Sequence, residues 1–331
     1  MAGLTLTQTA GFADSIFGKS AAPISMVLEQ SLEAFELSST YDKIFSVRTS
    51  KNFAEKMTAL SAMDGFAPVG ENGAHPKTDM TEVFSKTFEH MTWKSSFAIS
   101  REMVDDAKLD LMRLRASKFV QDYGRKREAF AGALIGGATG NSIKFGGQNF
   151  STLCADGKPM FSTAHPNYYK ASKTQTNLFA GSFSADTLSE LETRMQNFTG
   201  DKDEILGIIP DTIIIPNIGA LKKTVFSVIG ADKDPATANN GFNFEFGRWN
   251  VIINPYWTVS GTDKPFILMD SKFNEMDGAA VWYDRVKLET EAFVDRDTNA
   301  AVYNGYARWS AGFNNWRGMI MGGVTGGTAL T

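Results

Sequence analysis

Three stretches of the chain hold residue types that do chemistry elsewhere. Gly18-Lys19-Ser20 has the ending of a phosphate loop, in which glycine amides cradle phosphates and a lysine reaches the transferred group. The position that must be the first glycine holds Ala13, and the nearest upstream glycine is Gly11, so the stretch reads as a polar turn. Asp295 to Asn299, DRDTN, begins like a calcium loop, whose alternating carboxylates converge on one hard cation. Its sixth position is Ala300 where the turn needs glycine, and its twelfth is Tyr306 where a bidentate glutamate belongs. It reads as a strand-to-turn connection at the surface, with at most weak ion binding. Cys154 and His165 are the residue types of a thiol nucleophile and its base. No third residue is marked to orient the histidine, so they read as a small buried thiol and a turn histidine before Pro166. The other histidines, His75 and His90, have no paired spacing for a metal, and Asp105–Asp106 fits a helix start better than acid catalysis.

The elements that would position these residues follow from hydrophobic spacing. Residues 1 to 40 read as an arm of short apolar clusters (Ile16, Phe17; Ile24, Met26, Val27, Leu28) that orders against its own body or a neighbour. Alternation with Phe45, Val47, Phe53 and Met57 on one parity, and again at Met91, Trp93, Phe97 and Ile99, predicts strands. Between them residues 64 to 79 are dense in Gly, Pro, Asn and Asp, the composition of a broad turn at the tip of a two-stranded excursion. Such a ribbon is marginal alone and gains by lying on another surface.

A long helix is predicted from Ser100, its N-cap, to about Ala138, with acids early, Arg125 to Arg127 late and GGATG at 136 to 140 to end it. Its stripe shifts from Val104, Ala107, Leu111 and Leu114 to Phe119, Tyr123, Phe130 and Leu134, and Gly124 is a place to bend. Residues 141 to 183 read as loop with short strands. A helix at 187 to 197, capped by Asp186, precedes a buried strand at 211 to 216 and a helix at 218 to 229. Strands follow at 249–253, 266–269, 280–290 and 300–310, making the chain α+β.

Composition sets the outer limits. The 331 residues are 43% hydrophobic and carry 33 Lys+Arg against 37 Asp+Glu, a formal charge of −4, which speaks against a free nucleic-acid binder. One cysteine permits no intrachain disulfide, pointing to a reducing cytoplasm, and neither a signal peptide nor a membrane span is visible in the sequence. Length gives a prior of about two domains.

The order of parts resembles the major capsid proteins of tailed phages, whose shared fold is named after the Hong Kong 97 phage. The resemblance is carried by ISREMVDDA (99–107), REAFAGALIGGATG (127–140), DTIIIPNIGALKKTVF (211–226), GRWNVIINP (247–255) and the tail from Ala300 to Gly323. FSTAHPNY (161–168) and the run from Phe293 to Trp316 look closest to Mu-like major head subunits. The resemblance implies an N-terminal arm at 1–42, an extended β-hairpin loop at 43–99 lying over an adjacent subunit, and a peripheral domain at 100–185 with spine helix 100–138. It further implies an axial domain at 186–275 and return strands with a C-terminal tail at 276–331.

Function under this resemblance is structural, with no enzyme activity and no cofactor. Copies assemble as hexamers and pentamers into an icosahedral head that encloses double-stranded DNA without reading its sequence. The virion is the location, with assembly in the host cytoplasm and no membrane partner. The founding member's long scaffolding segment has no room ahead of the loop here, and Met1 argues against a trimmed form, so a separate scaffold protein is expected, with a portal and decoration proteins. Phe17, Phe66, His75, Trp93, Trp309 and Trp316 are the candidate intersubunit contacts, and each aromatic one taken singly reads first as an ordinary core residue. Two other functions fit less of the sequence: an encapsulin-type nanocompartment shell holding cargo enzymes, and a soluble cysteine hydrolase built on Cys154 and His165.

Overall fold

The computed structural model describes residues 21–61, 63, 66–71, 73–75, 77, 79–106, 109–230, 243–259 and 261–330. The Gly18-Lys19-Ser20 turn and Phe17 lie outside the described residues.

The second half of the expected arm is a helix, α1 (Ala21–Ser38). Its residues Ile24, Leu28, Leu32 and Phe35 recur at spacings of three and four, which lays one stripe along the chain's own long helix. Ile24 and Leu28 are almost fully buried, each worth about 1.5–3 kcal/mol of transfer free energy. A one-turn helix, α2 (Tyr41–Ile44), follows, with Tyr41 and Ile44 both turned inward. Next come β1 (Ser46–Thr49), β2 (Ala54–Leu60), β3 (Glu82–Glu89) and β4 (Met91–Ile99).

The predicted spine helix is described in two segments, α3 (Arg101–Asp105) and α4 (Leu109–Gly136). Ser100 caps it as expected, its side chain accepting from the Met103 N–H. Gly124 lies inside α4, where the helix continues through it. A Cβ there would stand 2.4 Å from the Phe35 ring, so the missing side chain is what lets α1 lie close. Short hairpin strands β5 (Ser142–Phe145) and β6 (Gln148–Ser151) and the two-residue strands β7 (His165–Pro166) and β8 (Thr174–Gln175) occupy the loop-rich stretch.

The second half alternates as predicted: α5 (Ala185–Gln196), β9 (Thr212–Pro216), α6 (Gly219–Ile229), β10 (Asn250–Asn254), β11 (Phe266–Met269), α7 (Ser271–Asp277), β12 (Ala280–Val294), β13 (Ala301–Phe313) and β14 (Met319–Gly322). The cap of α5 is Ser184, which accepts from the Thr187 N–H, rather than the expected Asp186, which sits in the first turn. The α7 helix escaped the periodicity reading, although its punctuation is explicit. Asp270 accepts from the Phe273 N–H at the start, and Gly278 takes a left-handed φ of 65° at the end.

Two four-stranded sheets organise the body. One runs β1-β12-β13-β4, with β1 parallel to β12 and the other pairs antiparallel; the other runs β10-β9-β11-β14. In the latter, β9 and β11 bury every residue, which is why Ile213, Ile214 and Ile215 stand as an unbroken apolar run. The main core extends across both sheets, joining Phe130, Trp282, Trp309, Phe313 and Trp316 to Ile214, Phe266 and Ile320. Among the described residues the β2–β3 ribbon pairs only with itself, from Ala54↔Glu89 to Leu60↔Glu82. Of the segment 43–99, β1 and β4 thus belong to the body sheet, and β2 and β3, which lie between them in sequence, make the ribbon.

Candidate intersubunit surfaces

The thiol and histidine are not assembled for catalysis. Cys154 is buried with its Sγ 3.5 Å from the Met160 Sδ, and burial, reinforced by Asp156, pushes the thiol well above its ordinary range. His165 is equally buried, and both its ring nitrogens are engaged elsewhere. Nδ1 faces the Asp156 Oδ2 at 2.6 Å, Nε2 faces the Asn177 Oδ1 at 3.1 Å, and the ring stacks on Trp316 at 4.4 Å. Asn177 in turn donates from Nδ2 to main-chain carbonyls, including that of Met160 at 2.8 Å. An orienting acid therefore exists, and the sequence reading missed it. It fixes a histidine that ties the loop of residues 152–177 to the C-terminal segment, and sequence offers no sign of it beyond the Asp156-Gly157 turn.

His90 occupies the single position between β3 and β4, at the root of the ribbon. The Ser50 hydroxyl donates to the Glu55 Oε1 at 2.6 Å, leaving its oxygen to accept from the His90 Nε2–H at 2.8 Å. His90 Nδ1 then accepts from the Ser310 hydroxyl at 3.1 Å. Burial first, then Arg285 and Arg308, hold the imidazole below its ordinary value, against the opposing pull of Glu55. The DRDTN stretch is the turn between β12 and β13. Asp295 accepts from the Thr298 hydroxyl at 2.6 Å, and Asn299 takes a positive φ of 49°, so its acids serve the turn. Among the described residues no group of three or more His, Cys, Asp or Glu side chains is placed to hold a metal, and no helix is long and apolar enough to cross a membrane.

The aromatic candidates divide sharply. Trp309 and Trp316 are core residues, and the expectation that they anchor a neighbour is corrected: their own chain covers them. Trp93 is half-buried and lies parallel to Trp309 at 4.6 Å, with Phe130, Phe145 and Phe150 around it, so it too is spent mainly within the subunit. The reason is register. Trp93 pairs opposite Ala307 and Trp309 opposite Met91, which brings both rings to the face that meets α4. At the centre of that face Arg127 is nearly buried, its Nη2 donating to both Asp284 carboxylate oxygens at 2.9 and 2.7 Å and its Nη1 to the Tyr123 hydroxyl at 2.7 Å, with Tyr41, Tyr123, Trp282 and Trp309 around its guanidinium.

Phe66 and His75, by contrast, are exposed at the tip of the ribbon. They belong to a run of uncovered apolar side chains, Phe53, Leu60, Val69 and Met80, along the same excursion. The root is held firmly: Lys86 donates to the Leu153 carbonyl, Arg285 reaches the Asn52 carbonyl at 2.6 Å, and Phe88 packs on Tyr283. Among the described residues, the root is packed against the body while the apolar side chains of the tip are exposed in the single subunit.

A family model described as phage capsid protein matches residues 84–322. The chain belongs to the phage capsid protein family. No curated protein matches it. Among solved structures, this capsid protein is similar to the capsid of an empty GTA particle, at 12% identity, TM-score 0.50, over 88% of this chain and 90% of that one. It is similar also to the chain of Mycobacterium phage Adephagia, at 13% identity, TM-score 0.50, over 88% and 90%. A third likeness is to the capsid of Cyanophage P-SCSP1u, at 9% identity, TM-score 0.50, over 88% of each chain. The fold is the mixed helix-and-sheet fold of Hong Kong 97-type capsids. The capsid protein is a structural subunit of a phage head shell, not an enzyme, and it assembles with copies of itself; its place is the virion.

Proposed function

We propose that the subunits assemble as hexamers and pentamers into an icosahedral head around double-stranded DNA, each extending its β2–β3 ribbon over the next. One observation carries the reading: among the described residues the ribbon pairs with no other strand, and it ends in the uncovered side chains of Phe66, Val69 and Met80. Apolar surface of that kind finds partners on another molecule. On this reading α4 with the β1-β12-β13-β4 sheet forms the peripheral domain, and residues 186–275 form the axial domain around the capsomer axes. Mild acidity suits an inner wall that holds DNA loosely. A separate scaffold protein, a portal, decoration proteins and assembly in the host cytoplasm belong to this reading through the family resemblance alone.

Deleting residues 66–78 tests it. The shortened subunit is expected to stay folded and soluble by circular dichroism and gel filtration, while electron microscopy finds no stable shells. Normal particles from the deletion would refute the role given to the ribbon. Particles recovered with enzymes inside and no DNA would replace the head by a cargo shell.

A further inference from the structure

The formal charge of −4 is sorted by surface, not spread evenly. On α1 the exposed Glu29, Glu33 and Glu36 fall within an arc of about 60°, and no lysine or arginine occurs from Ala21 to Ser38. Exposed bases gather instead on the solvent face of α4. Arg115, Lys118, Arg125 and Lys126 fall within an arc of about 100° along about 16 Å of helix, with Asp122 the one acid among them. Among the described residues none of these four cations has an ion-pair partner. Arg115 donates to the Ala98 carbonyl at 2.7 Å and Arg125 to the Gln121 carbonyl at 3.4 Å, and each guanidinium keeps further N–H donors. Lys126 stands over the Phe145 ring at 5.6 Å, and the residue before that ring is the exposed Lys144.

A row of unpaired cations on a rigid rod matches a row of fixed anions, and duplex DNA offers about one phosphate per 1.7 Å of its axis. We propose that this face of α4 is where each subunit holds double-stranded DNA, through phosphate oxygens and without reading the bases. The inference rests on the shell reading above and turns the solvent face of α4 toward the interior. Three or four phosphates make a weak grip for one copy, and repetition over the lattice multiplies it without new contacts. The exposed Leu111 and Leu114 lie on the same arc at its N-terminal end. Phosphate makes no use of them, and they define the rival occupant, an acidic and apolar protein segment.

Fluorescence anisotropy of the dispersed full-length subunit with a labelled duplex of about 30 bp tests it, and log affinity should fall against log salt with a slope of about −3 to −4. Lys118→Gln combined with Arg125→Gln, both at exposed positions, should bring the slope to about −2 and lower affinity about a hundredfold near 0.05 M salt. Lys222→Gln combined with Lys223→Gln on α6 removes the same charge and should leave both values unchanged. In DNA-filled particles, formaldehyde should join DNA to peptides bearing Lys118 or Lys126 and not to those bearing Lys223. Equal losses from the two double variants, no salt-dependent binding, or filled particles cross-linked at Lys223 instead overturn the placement and leave the shell reading intact. So does the pattern in which Leu111→Ser with Leu114→Ser blocks particle formation while Lys118→Gln with Arg125→Gln leaves duplex binding as it was, which assigns the face to a protein segment. A native chain that never makes DNA-filled particles overturns both readings.

Discussion

Trp309 and Phe66 are both large aromatic residues flanked by small or polar neighbours in sequence, and the molecule treats them in opposite ways. Trp309 is sealed between Trp93, Tyr123 and Trp282 beneath α4, and Phe66 stands wholly in water at the end of the ribbon. The first region is over-determined: stacked rings, a buried ion pair and a four-stranded sheet all fix the same arrangement. The second is held along β3 by His90, Phe88, Lys86 and the packing of Phe84 on Tyr168, with Arg285 at the Asn52 carbonyl, and its tip side chains are exposed. Subunit stability and shell formation are therefore written into different residues, and substitutions can move one without the other.

The largest effect is expected at the sealed end. Asp284→Ala leaves the Arg127 guanidinium without its carboxylate inside the aromatic cage, and should cost about 3–5 kcal/mol in urea unfolding of the dispersed subunit. A loss under about 1 kcal/mol would mean that the rings alone hold the charge.

At the hinge between the two regions the expected signature is pH. His90 is held neutral below its ordinary value of 6.5 by burial, Arg285 and Arg308. As pH falls through 6.5 the unfolded chain takes up a proton that the folded one refuses, so stability should decline into the acid range. The part due to His90 should vanish in His90→Gln, compared by thermal melts of the two proteins across that range. Identical pH profiles would remove His90 from the account.

The smallest effect belongs to the ribbon. Leu60→Ser and Val69→Ser should change subunit unfolding by less than about 0.5 kcal/mol, as exposed positions do, yet reduce particle yield. Clear destabilisation of the dispersed subunit would show that the ribbon folds back on its own body and blur the contrast.

Legibility in the sequence follows the same divide. Local signals were readable: Ser100 as a cap, the unbroken apolar β9, and the glycine-rich end of α4 all act within a few residues of themselves. Two helices were readable in principle and passed over. In α1 the spacing of Ile24, Leu28, Leu32 and Phe35 is helical, and α7 is bracketed by Asp270 and Gly278. What no sequence pattern carries is which atoms cover a given ring. Trp93, Trp309 and Trp316 were open to either fate until strand register was known, because burial is decided by segments hundreds of residues apart. The Asp156–His165 pairing is of the same kind, set by the path of a loop with no period of its own.

The parallel pairing of β1 with β12 has a consequence during synthesis. Residues 46–49 leave the ribosome early, yet the strand they join ends at residue 294, and the second sheet is completed only by residues 319–322. Both sheets must wait for nearly the whole polypeptide, so a nascent or prematurely terminated chain has neither platform formed. Translation itself thereby acts as a quality gate: interrupted products lack the geometry to enter the growing lattice and spoil it.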